Sequence, residues 1–97
     1  MLNMTETTQK AVLEGNVPAK AVAMEIEKPY HTLMRELNPY DSGAKLGVQT
    51  FLEILRITGN VEPLRKLARE LGYGLVTLGD SAGERFAALQ DETRAGN

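Results

Sequence analysis

Apolar positions recur at helical spacing along most of this chain, with short polar breaks between them. Ala19, Val22, Ala23 and Ile26 fall at i, i+3, i+4 and i+7, one face of a helix. Tyr30, Leu33 and Leu37 make a second stripe at i, i+3 and i+7. Between the stripes lies a four-residue break, Glu25-Ile26-Glu27-Lys28. Pro29 cannot continue the first of these helices, because its ring clashes with the preceding turn, but it can start the second. Asn38-Pro39 then ends that second helix.

The flanks follow the same grammar. Thr5 to Glu14 reads as a helix capped by Thr5, or by Thr8, with Val12 and Leu13 apolar and Gly15-Asn16 as a left-handed stop. Pro18 suits the first turn of the next helix. Tyr40 to Ala44 is turn-rich, with Asp41, Ser42 and Gly43 supplying turn chemistry. Val48, Phe51, Leu52, Leu55 and Ile57 mark a further helix stopped by Gly59-Asn60. Glu62 to Leu71 is another, with Pro63 near its start, Leu64, Leu67, Ala68 and Leu71 on its apolar face, and Gly72 closing it. YGLVTL at 73–78 could run extended but is too short to define a sheet. After Gly79, Ser81 and Glu84 form a capping box for a last helix, with Ala82, Phe86 and Leu89 on one face.

These elements predict an all-α fold: a small helical bundle containing a helix-turn-helix, with a C-terminal helix. Residues 1–78 form the helix-turn-helix unit. Residues 79–97 are the C-terminal helix and the candidate oligomerisation segment, through Ala82, Phe86 and Leu89. A stripe that narrow can close over the domain's own core or pair with a second subunit. Pairing is the expected outcome, because a symmetric dimer doubles the contacts available to a small domain.

The composition fits one modest domain: 97 residues, 42% hydrophobic and 25% charged. With no Trp and 5% aromatics, the core rests on Leu, Val, Ile, Ala and Met. No apolar run approaches the ~20 residues of a bilayer span, and MLNMTETTQK lacks the pattern of a signal peptide. The absence of Cys removes disulfides and Cys-ligated zinc. A cytoplasmic protein without cofactor or metal, not associated with a membrane, is the expectation.

Helix-turn-helix chemistry gives the two stripes meaning. The first helix braces the second, and the second can enter the DNA major groove. A small residue is needed where the helices cross, and Ala23 stands there. Val22, Ile26, Leu33 and Leu37 pin the helices together. Polar candidates for double-stranded DNA are Lys28, Tyr30, His31, Thr32 and Arg35. An Arg can bond both guanine acceptors at once, worth ~1–3 kcal/mol of discrimination, whereas Lys28 and the free N–H groups of a helix start suit phosphates. Two places depart from the common pattern. Such turns usually begin with Gly followed by an apolar residue, and here Glu27 and Lys28 stand instead. The last apolar anchor, Leu37, falls one residue late.

The net charge of −2 works against phosphate binding. Residues 1–38 and 79–97 are both net acidic, and only 39–78 is net basic, so no segment is a basic arm. The pattern alone is shared by helical pairs that only pack.

The stretch from Ala19 to Leu78 resembles the phage CII-type regulatory proteins, DNA-binding transcription regulators of temperate phages. The matching features are Ala23 in the first helix, Thr32-Leu33 in the second, and Leu37-Asn38-Pro39 at its end. QTFLEILRITGN and VEPLRKLARELGY leading into LVTL complete them. The resemblance implies an all-helical, sequence-specific DNA binder acting as a homo-oligomer, with Tyr30, His31 and Arg35 as base readers.

Blander roles stand beside these. His31 could be a solvated surface residue, and Tyr30 could be half-packed on the core. Met24 and Met34 read as core filling. Arg65, Lys66 and Arg69 read as a solvated face paired with Glu62 and Glu70. Gly72-Tyr73-Gly74 is not framed as a nucleotide loop. No Ser, Cys or Lys has a plausible base partner, so no enzyme is expected. The expected function is a sequence-specific DNA-binding transcription regulator of phage or prophage type. The alternative is a helical protein-interaction module, an adaptor or antirepressor, that does not touch DNA.

Overall fold

The computed structural model of the chain describes residues 2–78. Five helices follow one another: α1 Met4–Leu13, α2 Ala19–Glu25, α3 Tyr30–Glu36, α4 Val48–Thr58 and α5 Glu62–Glu70. The fold is all-α, and the described residues contain no strand, YGLVTL included. α1 packs against α2, α4 and α5, while α2 also meets α3 and α4. The candidate oligomerisation residues Ala82, Phe86 and Leu89, with the Ser81/Glu84 capping box, lie outside the described residues.

The core gathers one side of each of the first four helices. Val12, Val22, Ala23, Leu33, Leu37, Ile54 and Leu55 are buried together, and Ala19, Ile26, Met34, Phe51 and Ile57 pack around them. α2 and α3 bury the faces their spacing predicts, except that Tyr30 stays partly outside. α4 turns differently from its expected stripe. Thr50, Ile54 and Leu55 face inward, whereas Val48 and Leu52 are exposed. The reason is that Thr50, Ile54 and Thr58 share a line at i, i+4 and i+8. Thr50 can occupy the inner face because its hydroxyl accepts from the Lys28 ammonium at 3.0 Å, and part-buried Thr58 donates its hydroxyl to the Ile54 carbonyl at 2.7 Å. Met24 is exposed rather than core filling.

The start of the chain differs from expectation in its cap. Asn3 caps α1, its side-chain oxygen accepting the Glu6 N–H at 3.0 Å. Thr8 is fully buried inside that helix and donates its hydroxyl to the Met4 carbonyl at 2.7 Å. Gly15 is not left-handed, since among the described glycines only Gly59 and Gly72 have positive φ. Its requirement is space: a Cβ there would lie 2.7 Å from the Ala11 carbonyl oxygen.

Candidate nucleic-acid interface

The connection between α2 and α3 is a tight, fully bonded reversal. Glu27 N–H donates to the Met24 carbonyl at 3.1 Å, and Lys28 N–H to the Ala23 carbonyl at 3.0 Å. This pair of bonds is the Schellman arrangement, which places the residue after the C-cap in the left-handed region. That residue is Glu27, φ 56°, the one non-glycine residue with positive φ among those described. It is the position where such turns commonly carry Gly, so the backbone takes the glycine conformation without the glycine. Pro29 then caps α3, with its carbonyl accepting the Leu33 N–H at 3.0 Å.

Lys28 does not reach outward. Its ammonium lies 2.6 Å from Glu36 Oε1 and 3.0 Å from Thr50 Oγ1, with both members of the ion pair mostly covered. The contacts join the turn, the end of α3 and the middle of α4. Glu36, which a surface reading would set against phosphate, has its charge compensated from within. Ala23 is buried at the contact of α2 with α3, beside Leu33 and Leu37.

The remaining candidates lie along α3, with His31 and Arg35 on its outer side and Tyr30 at the edge of the buried stripe. His31 and Arg35 are exposed and lie one turn apart on one line, with Thr32 half-buried beside them. Tyr30 is 42% exposed, and the Lys20 ammonium from α2 lies 5.6 Å from its ring centroid, within cation–π range. Arg35 Nε donates to Asp41 Oδ2 at 3.0 Å. That bond lowers the Asp41 carboxyl below the ordinary carboxylate range, and the Gly43 N–H adds to the effect. Glu25 and Glu27 are exposed just before α3.

Three contributors were invisible in the residue pattern. Lys20 is brought to Tyr30 only by the crossing of α2 with α3. Thr50 meets Lys28 across 22 positions of sequence, and no local spacing announces such a pair. Asp41 reads from sequence as a turn residue, which it is, with its side chain accepting the Gly43 N–H at 2.9 Å. Its second role, toward Arg35, needs the chain to double back after α3. On α5, Glu62 pairs with Arg65 and with Arg69, at 3.1 Å in the latter case, so those arginines sit in the solvated, internally paired face expected of them. No group of three or more His, Asp or Glu side chains among the described residues could hold a metal. No helix there is long and apolar enough to cross a membrane.

The family model described as phage regulatory protein CII (CP76) matches residues 3–93, nearly the whole chain. The chain belongs to that family. No curated protein and no solved structure matches it.

Proposed function

We propose that this member of the phage regulatory protein CII family is a sequence-specific DNA-binding transcription regulator, reading the major groove with α3. The observation that carries the proposal is the exposed line of His31 and Arg35 on a helix whose opposite side is sealed by Leu33 and Leu37. Arg35 is the base reader, with His31, Thr32 and Tyr30 supplying further polar contacts. Lys20, poised over Tyr30, is the better placed phosphate contact. Lys28, assigned to phosphate by its position in the turn, instead braces α3 through Glu36 and Thr50. The described domain carries as many acidic as basic side chains, so a homo-oligomer is part of the proposal. Two copies double the phosphate contacts on half-sites about 34–36 Å apart. Residues 79–97, with Ala82, Phe86 and Leu89, are the proposed assembly segment. Sedimentation at micromolar concentration checks this, and a monomer there removes it.

The test of readout is Arg35→Ala, assayed on a duplex selected by the wild type from genomic fragments. Specific affinity should fall by about 1–3 kcal/mol with little change in thermal midpoint, because the Arg35 side chain is 59% exposed. Unchanged affinity removes Arg35 from the readout.

A second reading has its own support. Leu71, Tyr73, Val76 and Leu78 are all more than half exposed after α5, and exposed apolar side chains gathered in one stretch mark a protein-interaction surface. An adaptor or antirepressor would use that stretch. A wild type that enriches no DNA fragment favours this reading.

A further inference from the structure

The loop after α3 does more than connect. Tyr40 N–H donates to Asn38 Oδ1 at 2.9 Å, and Asp41 N–H to the Asn38 carbonyl at 3.1 Å. These bonds turn the chain back after α3, so that the loop reaches the Arg35 side chain. The Asp41 carboxylate then divides its oxygens: Oδ1 accepts the Gly43 N–H at 2.9 Å, and Oδ2 accepts Arg35 Nε at 3.0 Å. Gly43 completes the unit by its lack of a side chain. A Cβ there would lie 3.2 Å from Arg35 Nη2 and 3.4 Å from Asp41 Oδ1, tight enough that the guanidinium must give by a few tenths of an ångström.

We propose that Asp41 and Gly43 are positioning residues for DNA reading, holding Arg35 by Nε and leaving its two terminal nitrogens, which have no hydrogen-bond partner among the described residues, as a fixed fork. The inference rests on the reading of α3 as the recognition helix. An arginine has five N–H donors in a rigid plane. Engaging Nε leaves one donor on each of Nη1 and Nη2 along the far edge, the pair that matches guanine O6 and N7. A long exposed side chain otherwise loses rotamer freedom on binding. An arginine already held by a loop carboxylate loses less, so the gain appears on the right base pair and not on phosphate in general. Asp41 also opposes phosphate by its charge. Its two effects therefore have opposite signs, on specific and on non-specific binding.

The test uses the full chain and duplexes enriched by the wild type from a random-sequence library, with scrambled duplexes as reference. Asp41→Ala should tighten binding to scrambled DNA, because an acid is lost. It should also lower the ratio of specific to scrambled affinity by about tenfold, one good base contact. Gly43→Ala separates position from charge. It leaves the net charge as it is, so scrambled binding should hold while the ratio falls several-fold. Asp41→Asn keeps one carbonyl oxygen and should retain part of the ratio. A ratio unchanged in both Asp41→Ala and Gly43→Ala overturns the inference while leaving α3 as the reader. Equal tightening on both duplexes in Asp41→Ala makes Asp41 a mere repellent and also overturns it. A wild type that enriches no sequence overturns the recognition helix itself, and this inference with it.

Discussion

The α2–α3 pair and the α4–α5 pair are built alike and hold together differently. In each, the first helix runs into a residue with left-handed backbone, φ 56° at Glu27 and φ 68° at Gly59. In each, a proline then helps start the second helix, Pro29 before α3 and Pro63 inside α5. The first pair is sealed: Val22, Ala23, Leu33 and Leu37 are all at most 2% exposed. The second is open, because α5 lies on α1 and leaves Val61, Leu64 and Leu71 exposed. The difference teaches where local rules bind. Where packing is loose, the turn has the glycine that its backbone prefers. Where packing is tight, the core and the Lys28 contacts hold the turn against the preference of its own residue.

Truncation of one leucine in each pair is the largest test of that contrast. Leu33→Ala removes a fully buried side chain and should cost about 2–5 kcal/mol, transfer plus cavity. Leu64→Ala in α5 removes one that is 37% exposed and should cost less, about 1–2 kcal/mol. Urea unfolding of both variants measures the two values. Equal losses would show that α5 is as much a part of the core as α3.

The ion pairs repeat the contrast at a smaller scale. Lys28 and Glu36 have side chains 24% and 15% exposed, whereas Arg65 and Glu62 are near one-half. Lys28→Ala leaves a mostly covered carboxylate and the Thr50 hydroxyl without their partner, and should cost about 1–3 kcal/mol. Arg65→Ala breaks a solvated pair and should cost about 0–1 kcal/mol. Adding salt sharpens the distinction, since exposed pairs are screened more than covered ones. A Lys28 variant as stable as the wild type would make the brace between turn, α3 and α4 incidental.

The sequence made the two pairs legible to unequal depth. Helix order, the α2 and α3 stripes, and the stops at Gly59 and Gly72 follow from apolar spacing and from glycine, both local signals. The register of α4 did not, because Thr50, turned inward and satisfied by Lys28 from a distant turn, looks polar in a hydropathy pattern. The cap at Asn3 is masked in the sequence by Thr5 and Thr8, themselves good cap residues, the second of which the fold buries. At the candidate interface, the exposed placing of His31 and Arg35 was readable from their offset to Leu33 and Leu37. The fates of Lys28 and Asp41 were not, since each depends on a partner supplied by the way separate segments meet.

The smallest effect tests the turn itself, and it should have opposite signs in the two pairs. A side chain in the left-handed region costs about 1–2 kcal/mol from the crowding of Cβ against its carbonyl. Glu27 bears that cost because Ile26, Glu27 and Lys28 all donate backbone bonds into the last turn of α2, at 3.0–3.1 Å. Glu27→Gly removes the crowding but gives the unfolded chain more freedom, worth about 0.4–1 kcal/mol in the other direction. The balance should stabilise by about 0.5–1 kcal/mol, raising the thermal midpoint by about 2–8 °C. Gly59→Ala introduces the same crowding where nothing lies within 4 Å of the new Cβ. Its loss, about 0.5–1 kcal/mol, therefore reports backbone strain less the freedom taken from the unfolded chain, with no packing change added. A Glu27→Gly variant no more stable than the wild type would mean that the glutamate side chain makes good its backbone cost through contacts of its own. The tight pair would then be tight at the turn as well as in the core.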